Sequence, residues 1–522
     1  MSSTINSKTI LLTAAGIFFL AAVLPLCGLI FSAFFQGGSE GVENFASIFH
    51  KDVLYSIVNS LLIAISVSLL SVLLGCCFAF LLSKTTIPFA STFRLLLLLP
   101  LLLPSYVLCV AWNDAWLFSG LPKNLIYSLP AVIFILITIY TPLAAFIIQS
   151  SLRNISASIE EAGMLVISYR KVFFKIVLPL LRPALFSAFM LIFILSLSEF
   201  AVPSFLSVPV FTTEIFTQFS AFYNYSLAIA QSLILTGICI LLLVPQRKYL
   251  TKKQFFTFGK KSFRFKTLEL AGKVIPLLLM TIYIVLTVLL PLVFISVQTF
   301  SNTSTPFSHI IIMMLPSLRD SFVIALAGAF TVTLFGLIFS YLTVRFKFNF
   351  IQTILLFVFS VPAVVTGVSL IRFYNTPSLN FIYASVLIIL IAFTARFVFI
   401  SLKIISGSLQ QIPVSFTDAA KMVGAAPFDI FRKISLPLLS EALFTSFFII
   451  LIFCLNELAT VIMIYPPGIS LLPVTIFTRS ANAPQHIVSG MSLAALVFTL
   501  CILIIMFLGR KLLFSQQWRE SR

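Results

Sequence analysis

The chain has 522 residues, 60% of them hydrophobic and 9% charged, with a net charge of +18 at neutral pH and a mean hydropathy of +1.15. So little polar surface cannot cover a water-soluble globule of this size, which excludes a soluble protein and specifies an integral membrane one. The positive charge alone would suit nucleic acid, but its placement, described next, assigns it to a membrane topology and argues against that partner.

Crossing about 30 Å of hydrocarbon takes roughly 20 helical residues. Twelve apolar runs of that order follow one another, near 9–35, 54–83, 93–118, 129–151, 184–203 and 227–245, then 274–299, 321–344, 350–373, 380–402, 440–464 and 488–509. They are too long for barrel strands and lack strict alternation, so they are predicted as helices that satisfy their own backbones. The fold class is an all-α integral membrane protein with about 12 transmembrane helices. The first run is too long for a signal-peptide core, and no clear small-residue cleavage site follows it, which predicts a retained span. With Lys8 in the cytoplasm and a crossing at every run, the outside segments hold Lys51, Lys123, Arg319, Arg372 and Arg479. Arg396 falls within a span, toward its inner end, where it is expected to snorkel. The remaining basic residues fall inside, so both termini are expected in the cytoplasm. All seven cysteines lie in apolar runs, as small core or lipid-facing residues rather than disulfides or metal ligands.

Between the sixth and seventh runs lies a basic segment, 246–273, carrying Arg247, Lys248, Lys252, Lys253, Lys260, Lys261, Arg264 and Lys266. It reads as a cytoplasmic linker near lipid headgroups, joining a first half, 1–245, to a second, 274–522. The halves repeat one another. Glu160-Glu161-Ala162 is followed by Ile176, Leu178 and Pro179, and Asp418-Ala419-Ala420 by Ile434, Leu436 and Pro437 at identical spacing, 258 residues later. Asn59-Ser60 and Gly75 answer Asp320-Ser321 and Gly336; Pro104 answers Pro362; Glu199 answers Glu457; the segment from Thr213 to Thr217 answers Val474 to Thr478. Six spans per half make the repeats parallel, related by an axis along the membrane normal.

The doubled motif, 160–179 and 418–437, falls in the loop between the fourth and fifth spans of each half. An acid suits a helix N-terminus, and small residues allow close packing. A break follows, at Ser168-Tyr169 or from Gly424 to Pro427, and then a short basic amphipathic helix with Phe173 and Phe174, or Phe428 and Phe431. The proline is expected to stop that helix before the next span. A single such helix could rest in lipid headgroups. Two at one topological position predict paired docking knobs for a symmetric partner, with aromatic anchors.

This pattern resembles the permease of a binding-protein-dependent ABC importer, of the fused subgroup with both halves in one chain and a type I architecture. It is most similar to ferric-iron permeases, in size and in Ser198-Glu199-Phe200 and Thr212-Thr213-Glu214-Ile215; thiamine and polyamine permeases are also similar. The resemblance implies a coupling helix in each motif that fits an ABC ATPase dimer at the cytoplasmic face, a solute-binding protein at the outer face, and a bacterial inner-membrane location. The coupling residues it implies are Glu160, Glu161, Ala162, Tyr169, Phe173, Phe174, Pro179, Asp418, Ala419, Ala420, Gly424, Phe428, Phe431 and Pro437. The first copy departs from the pattern: Glu161 replaces an Ala, and Val166 replaces the Gly kept at Gly424. Val does not readily adopt a left-handed conformation, so the bend is expected elsewhere, at Gly163.

The sequence has no phosphate-binding Gly-x-x-x-x-Gly-Lys loop, so hydrolysis is assigned to a separate subunit and no catalytic residue or cofactor is expected here. Glu199 and Glu457, near the outer ends of the fifth and eleventh spans, are candidates either for the pathway or for helix capping. His50, His309 and His486 are isolated loop residues with no metal-ligand spacing. The proline-broken outer segments around Thr213-Glu214 and Thr475 are candidates for re-entrant contacts with the solute-binding protein. A secondary transporter or channel would share the twelve spans but needs intramembrane charge couples or a filter. A membrane enzyme needs a convergent polar set, and the sequence offers none.

Overall fold

The computed structural model describes residues 2–35, 50–153, 155, 157–250, 274–301 and 306–519, so the linker from 251 onward lies outside the described residues. Among the described residues the regular structure is all helical apart from an isolated bridge at Thr85. Ten helices are long and apolar enough to cross a membrane: Leu11–Leu29, Lys51–Lys84, Leu129–Leu152, Phe173–Leu197, Tyr225–Leu242, Val274–Phe300, Phe307–Val344, Leu387–Leu409, Phe428–Asn456 and Gln485–Leu512.

The other two expected spans are broken. Ala90–Leu102 meets Ser105–Ser119 at 97°, and Asn349–Ser360 meets Ala363–Tyr374 at 99°. The sequence aligned Pro104 with Pro362 without marking them as corners; each is the residue before the second arm. A helix stops at the residue before a proline, because that residue is driven to extended backbone, and Leu103 and Val361 are both extended. Both broken pairs still carry the chain across. Lys84 at the end of one long helix pairs with Glu160, just beyond the end of Leu129–Leu152, so the two ends share a face. Likewise Arg345, after Phe307–Val344, reaches the carbonyl of Ile412, after Leu387–Leu409. The segment between each pair must therefore cross once, which gives twelve crossings.

Four π turns have a common cause. Phe19–Val23, Phe173–Val177, Val285–Leu289 and Phe431–Ser435 each run directly into a Leu-Pro pair, at Leu24, Leu178, Leu290 and Leu436. In each the leucine N–H bonds five residues back, to the carbonyl of Phe19, Phe173, Val285 or Phe431. Proline lacks a donor and crowds the preceding turn, and a π turn accommodates both without ending the helix. Pro179 and Pro437 therefore do not stop the short helices of the repeated motif, as the sequence suggested; each motif runs unbroken into its span. The fifth and eleventh spans accordingly start earlier than expected and end at Leu197 and Asn456.

The repeat is also visible in packing. A Cβ on Gly75 would lie 2.5 Å from that of Ala144, and one on Gly336 would lie 2.0 Å from Ser401 Oγ. Equivalent helix pairs thus make their closest approach at equivalent glycines, the small-residue contact that stands in for the hydrophobic effect in lipid. The halves are interlocked as well. Tyr374 donates to the Ala21 carbonyl at 2.9 Å, and Phe18 packs on Phe339 with centroids 5.0 Å apart. Reciprocally, Tyr283 donates to the Thr138 carbonyl at 2.9 Å and packs on Phe78 at 4.9 Å. The first span of each half leans on the other half.

Replacing Gly336 with Leu is expected to destabilise the protein by about 1–3 kcal/mol through overpacking, and Gly75→Leu similarly, whereas Gly237→Leu, where a Cβ meets nothing within 4 Å, should be silent. Thermal unfolding in detergent checks this.

Candidate functional site

Each repeated motif forms a small helical hairpin at the face that carries Lys84. In the first, Ala157–Met164 folds back on Tyr169–Val177, and a Cβ on Gly163 would lie 2.9 Å from Ile176 Cδ1. In the second, Val414–Met422 precedes Pro427–Ser435, and the turn is made by Gly424 at φ +77°. Val166 does not take a left-handed conformation, and neither does Gly163. The first turn is closed instead by Val166 and Ile167 N–H groups donating to the Gly163 carbonyl at 3.1 and 3.0 Å. Gly163 serves close packing rather than a left-handed bend.

The exposed tips are apolar in both copies. Leu165 and Val166 are 89% and 84% exposed in the first hairpin, and Met422 and Val423 are 88% and 85% exposed in the second, where Val423 answers Leu165. The sequence did not single them out, since apolar residues in an apolar chain give no signal. Phe174 and Phe428 also project. Phe173 and Phe431 do not behave as free anchors: Phe173 stacks edge-on against Phe80 at 5.0 Å, and Phe431 against Tyr341 at 5.7 Å. These matched contacts seat each hairpin on the second span of its own half. Glu161, Ala162, Asp418, Ala419, Gly424 and Pro437 are exposed, and Ala420 and Pro179 half-buried.

The acids of the two copies differ sharply. Glu160 is buried against Lys84, itself buried at the end of Lys51–Lys84. Asp418 is exposed and pairs with Lys421 at 3.0 Å, one turn along. Arg345, which stands where Lys84 does in the repeat, spends its guanidinium on the Ile412 carbonyl at 3.4 Å. Because an exposed pair contributes little and a buried one is costly to break, the first hairpin is tied to its span by charge and the second is not.

A second polar cluster sits at the corners of the broken spans. Glu199 follows Leu178–Leu197, and its Oε1 accepts from Ala201 N at 3.1 Å and Val202 N at 3.4 Å, while Tyr140 donates to Oε2 at 3.2 Å. Glu457 accepts from Thr460 N at 3.0 Å. Each thus caps the short helix after it, Ala201–Phe205 or Val461–Ile464. Arg396 does not snorkel: Nη1 donates at 2.9 Å to the Val361 carbonyl at one corner. At the other corner Asn456, from the opposite half, donates to the Leu102 carbonyl at 3.1 Å. A small pocket lined by Ser321, Phe393, Cys454 and Leu471 opens beside Glu457.

Asn59-Ser60 and Asp320-Ser321, noted only as aligned, hold the outer segments. Ser60 Oγ accepts from Phe211 N at 2.8 Å and Ser321 Oγ from Leu472 N at 2.6 Å, which satisfies the first turns of Phe211–Ser220 and Leu472–Asn482. Ser207 (φ 52°) and Gly468 (φ 84°) occupy the same left-handed turn in the two halves. His309 and His486 lie in the first turns of helices rather than in loops, and no group of metal-binding side chains occurs among the described residues.

The fold is that of a multi-pass helical membrane protein built from two repeated halves. Residues 332–516 match the family described as binding-protein-dependent transport system inner membrane component. Over 91% of its length the chain is 23% identical to an Fe(3+)-transport system permease protein of Haemophilus influenzae, covering 94% of that protein. It is 24% identical, over 84% of its length, to a ferric transport system permease protein of Actinobacillus pleuropneumoniae, covering 68% of it. A putrescine transport system permease protein of Escherichia coli is 45% identical, but over only 15% of this chain and 28% of its own. The second half of the chain thus matches an inner-membrane transport component, and most of the chain is similar to permease subunits of ferric transport systems.

Replacing Lys84 with Met should leave the Glu160 carboxylate buried and unpaired, at a cost of about 3–5 kcal/mol. Adding Glu160→Leu should recover most of that loss, and neither Arg345→Met nor Asp418→Asn should match it. Unfolding of the detergent-solubilised variants measures the difference.

Proposed function

We propose that this permease imports ferric iron, delivered at the outer face by a solute-binding protein and driven by an ABC ATPase dimer at the cytoplasmic face. The observation that carries the cargo reading is coverage: similarity to ferric permeases runs through nearly the whole chain, whereas similarity to the putrescine permease is local. Thiamine and polyamines are the competing solutes. The halves are residues 1–245 and 274–522, joined by the basic linker 246–273, and the face bearing Lys84 is cytoplasmic by the positive-inside rule, with both termini there.

The coupling surface is the pair of hairpins, 160–179 and 418–437. Their apolar tips, Leu165-Val166 and Met422-Val423, together with Phe174 and Phe428, supply the anchors that fill grooves on the ATPase, because large side chains this exposed on a polar face have surface to bury on a partner. Phe173 and Phe431 transmit the push to the Lys51–Lys84 and Phe307–Val344 helices through Phe80 and Tyr341. In the first half Lys84 and Glu160 reinforce that path. Movement of the long helices then acts on the corners at Pro104 and Pro362, where Glu199 and Glu457 stand by the route between the halves. Those two acids hold helix ends in place and set the local field; ferric iron, which needs several hard oxygen ligands, is passed along rather than bound tightly by them.

Leu165→Asp and Met422→Asp are expected to insert at normal abundance yet lose the ATPase on purification, with uptake abolished in the double variant; retention of the ATPase would contradict the coupling assignment. For the cargo, deletion of the gene should abolish energy-dependent uptake of labelled ferric iron and leave labelled thiamine and putrescine untouched. Loss of one of those instead would replace the cargo and keep the importer.

A further inference from the structure

We propose that Asp114 is a latch between the halves that holds the outer side of the permease closed until the binding protein docks. Asp114 lies near the outer end of Ser105–Ser119, the second arm of the first broken span, and is fully buried. Both carboxylate oxygens are taken by the last helix of the other half: Gln485 Nε2 donates to Oδ1 at 2.8 Å and Ser489 Oγ to Oδ2 at 2.7 Å. Ser489 is also fully buried. Parting the two helices would break both hydrogen bonds to a buried carboxylate, a cost that biases the outer ends toward contact.

Both ends of the latch are rigidly mounted. A Cβ on Gly490, next to Ser489, would lie 2.6 Å from Ile310 Cδ1, so the last helix is packed hard onto Phe307–Val344 of its own half. Ser105, which opens the Asp114 helix, lies 3.5 Å from Glu199 Oε1. One helix therefore connects the corner cluster at its inner end to the opposite half at its outer end.

The Asp114 contact is not reproduced by the matching residue types of the second half. The position matching Asp114 is Arg372, which is exposed; those matching Gln485 and Ser489 are Asn224, which caps its own helix by accepting from Leu227 N at 3.1 Å, and Ala228. The Asp114 contact thus stands on one flank of the pseudo-twofold axis, while on the other Tyr374 donates to the Ala21 carbonyl at 2.9 Å; opening at the first flank requires release of Asp114. An acid within an apolar run was the one signal in the sequence.

The proposal rests on the reading of the chain as an ATP-driven permease. It is tested with the permease–ATPase complex in proteoliposomes, measuring ATP hydrolysis per assembled complex with and without binding protein. If the wild-type complex shows no stimulation by the binding protein, the importer reading fails, not the latch. Given stimulation, Asp114→Leu should raise binding-protein-independent hydrolysis severalfold, Asp114→Asn, which keeps an acceptor oxygen, should raise it less, and Arg372→Leu should leave it unchanged. Where Asp114→Leu does not assemble, Ser489→Ala, which removes one hydrogen bond and almost no volume, should give a smaller rise. Unchanged basal hydrolysis overturns the latch, and so does a proportional fall in basal and stimulated rates, the mark of a purely structural contact.

Discussion

Backbone cannot be left unsatisfied in hydrocarbon, and this permease breaks two of its spans in the middle. The freed carbonyls of Leu102 and Val361 are met by Asn456 and Arg396. That requirement organises the centre of the molecule. It places a guanidinium and an amide at the corners, draws the ends of the fifth and eleventh spans beside them, and leaves Glu199 and Glu457 to cap the short helices that turn away. The polar groups at the centre of the molecule are thus those that a broken helix needs.

Duplication supplies the frame, and departures from it supply direction. Gly75 and Gly336, the four Leu-Pro π turns, the paired Phe80–Phe173 and Tyr341–Phe431 contacts and the paired serine caps are equivalent devices. Lys84–Glu160 and Asp114–Gln485–Ser489 occur only once. Both single-copy contacts involve the first half, one at each face, so that half is braced at the hairpin bearing Glu160 and again at the opposite face.

Much of this was legible in the sequence. Span number follows from hydropathy, and the repeat from the doubled motif and its satellites at Asn59-Ser60, Gly75, Pro104 and Glu199. What stayed hidden has physical reasons. Pro104 lay in a continuous apolar run, and only backbone geometry distinguishes a kink from a right-angle corner. Pro179 and Pro437 suggested helix ends because a π turn has no residue signature of its own. Phe173 and Phe174 are adjacent and identical in sequence, yet one packs on Phe80 and the other projects, a difference set by helix phase. Arg396 read as a snorkelling residue because its partner is a backbone carbonyl, which sequence does not reveal, and Lys84 and Glu160 lie 76 residues apart.

The central claim is that both broken spans cross, so that the two hairpins share one face of the membrane, the face proposed as cytoplasmic. Single cysteines at Leu165, Met422, Tyr223 and Phe381, in a background without the native cysteines, can be probed with a membrane-impermeant maleimide in right-side-out and inverted vesicles. The account predicts that positions 165 and 422 label only from the cytoplasmic side and positions 223 and 381 only from outside. Labelling of 165 or 422 from outside, or of the two from opposite sides, would contradict it.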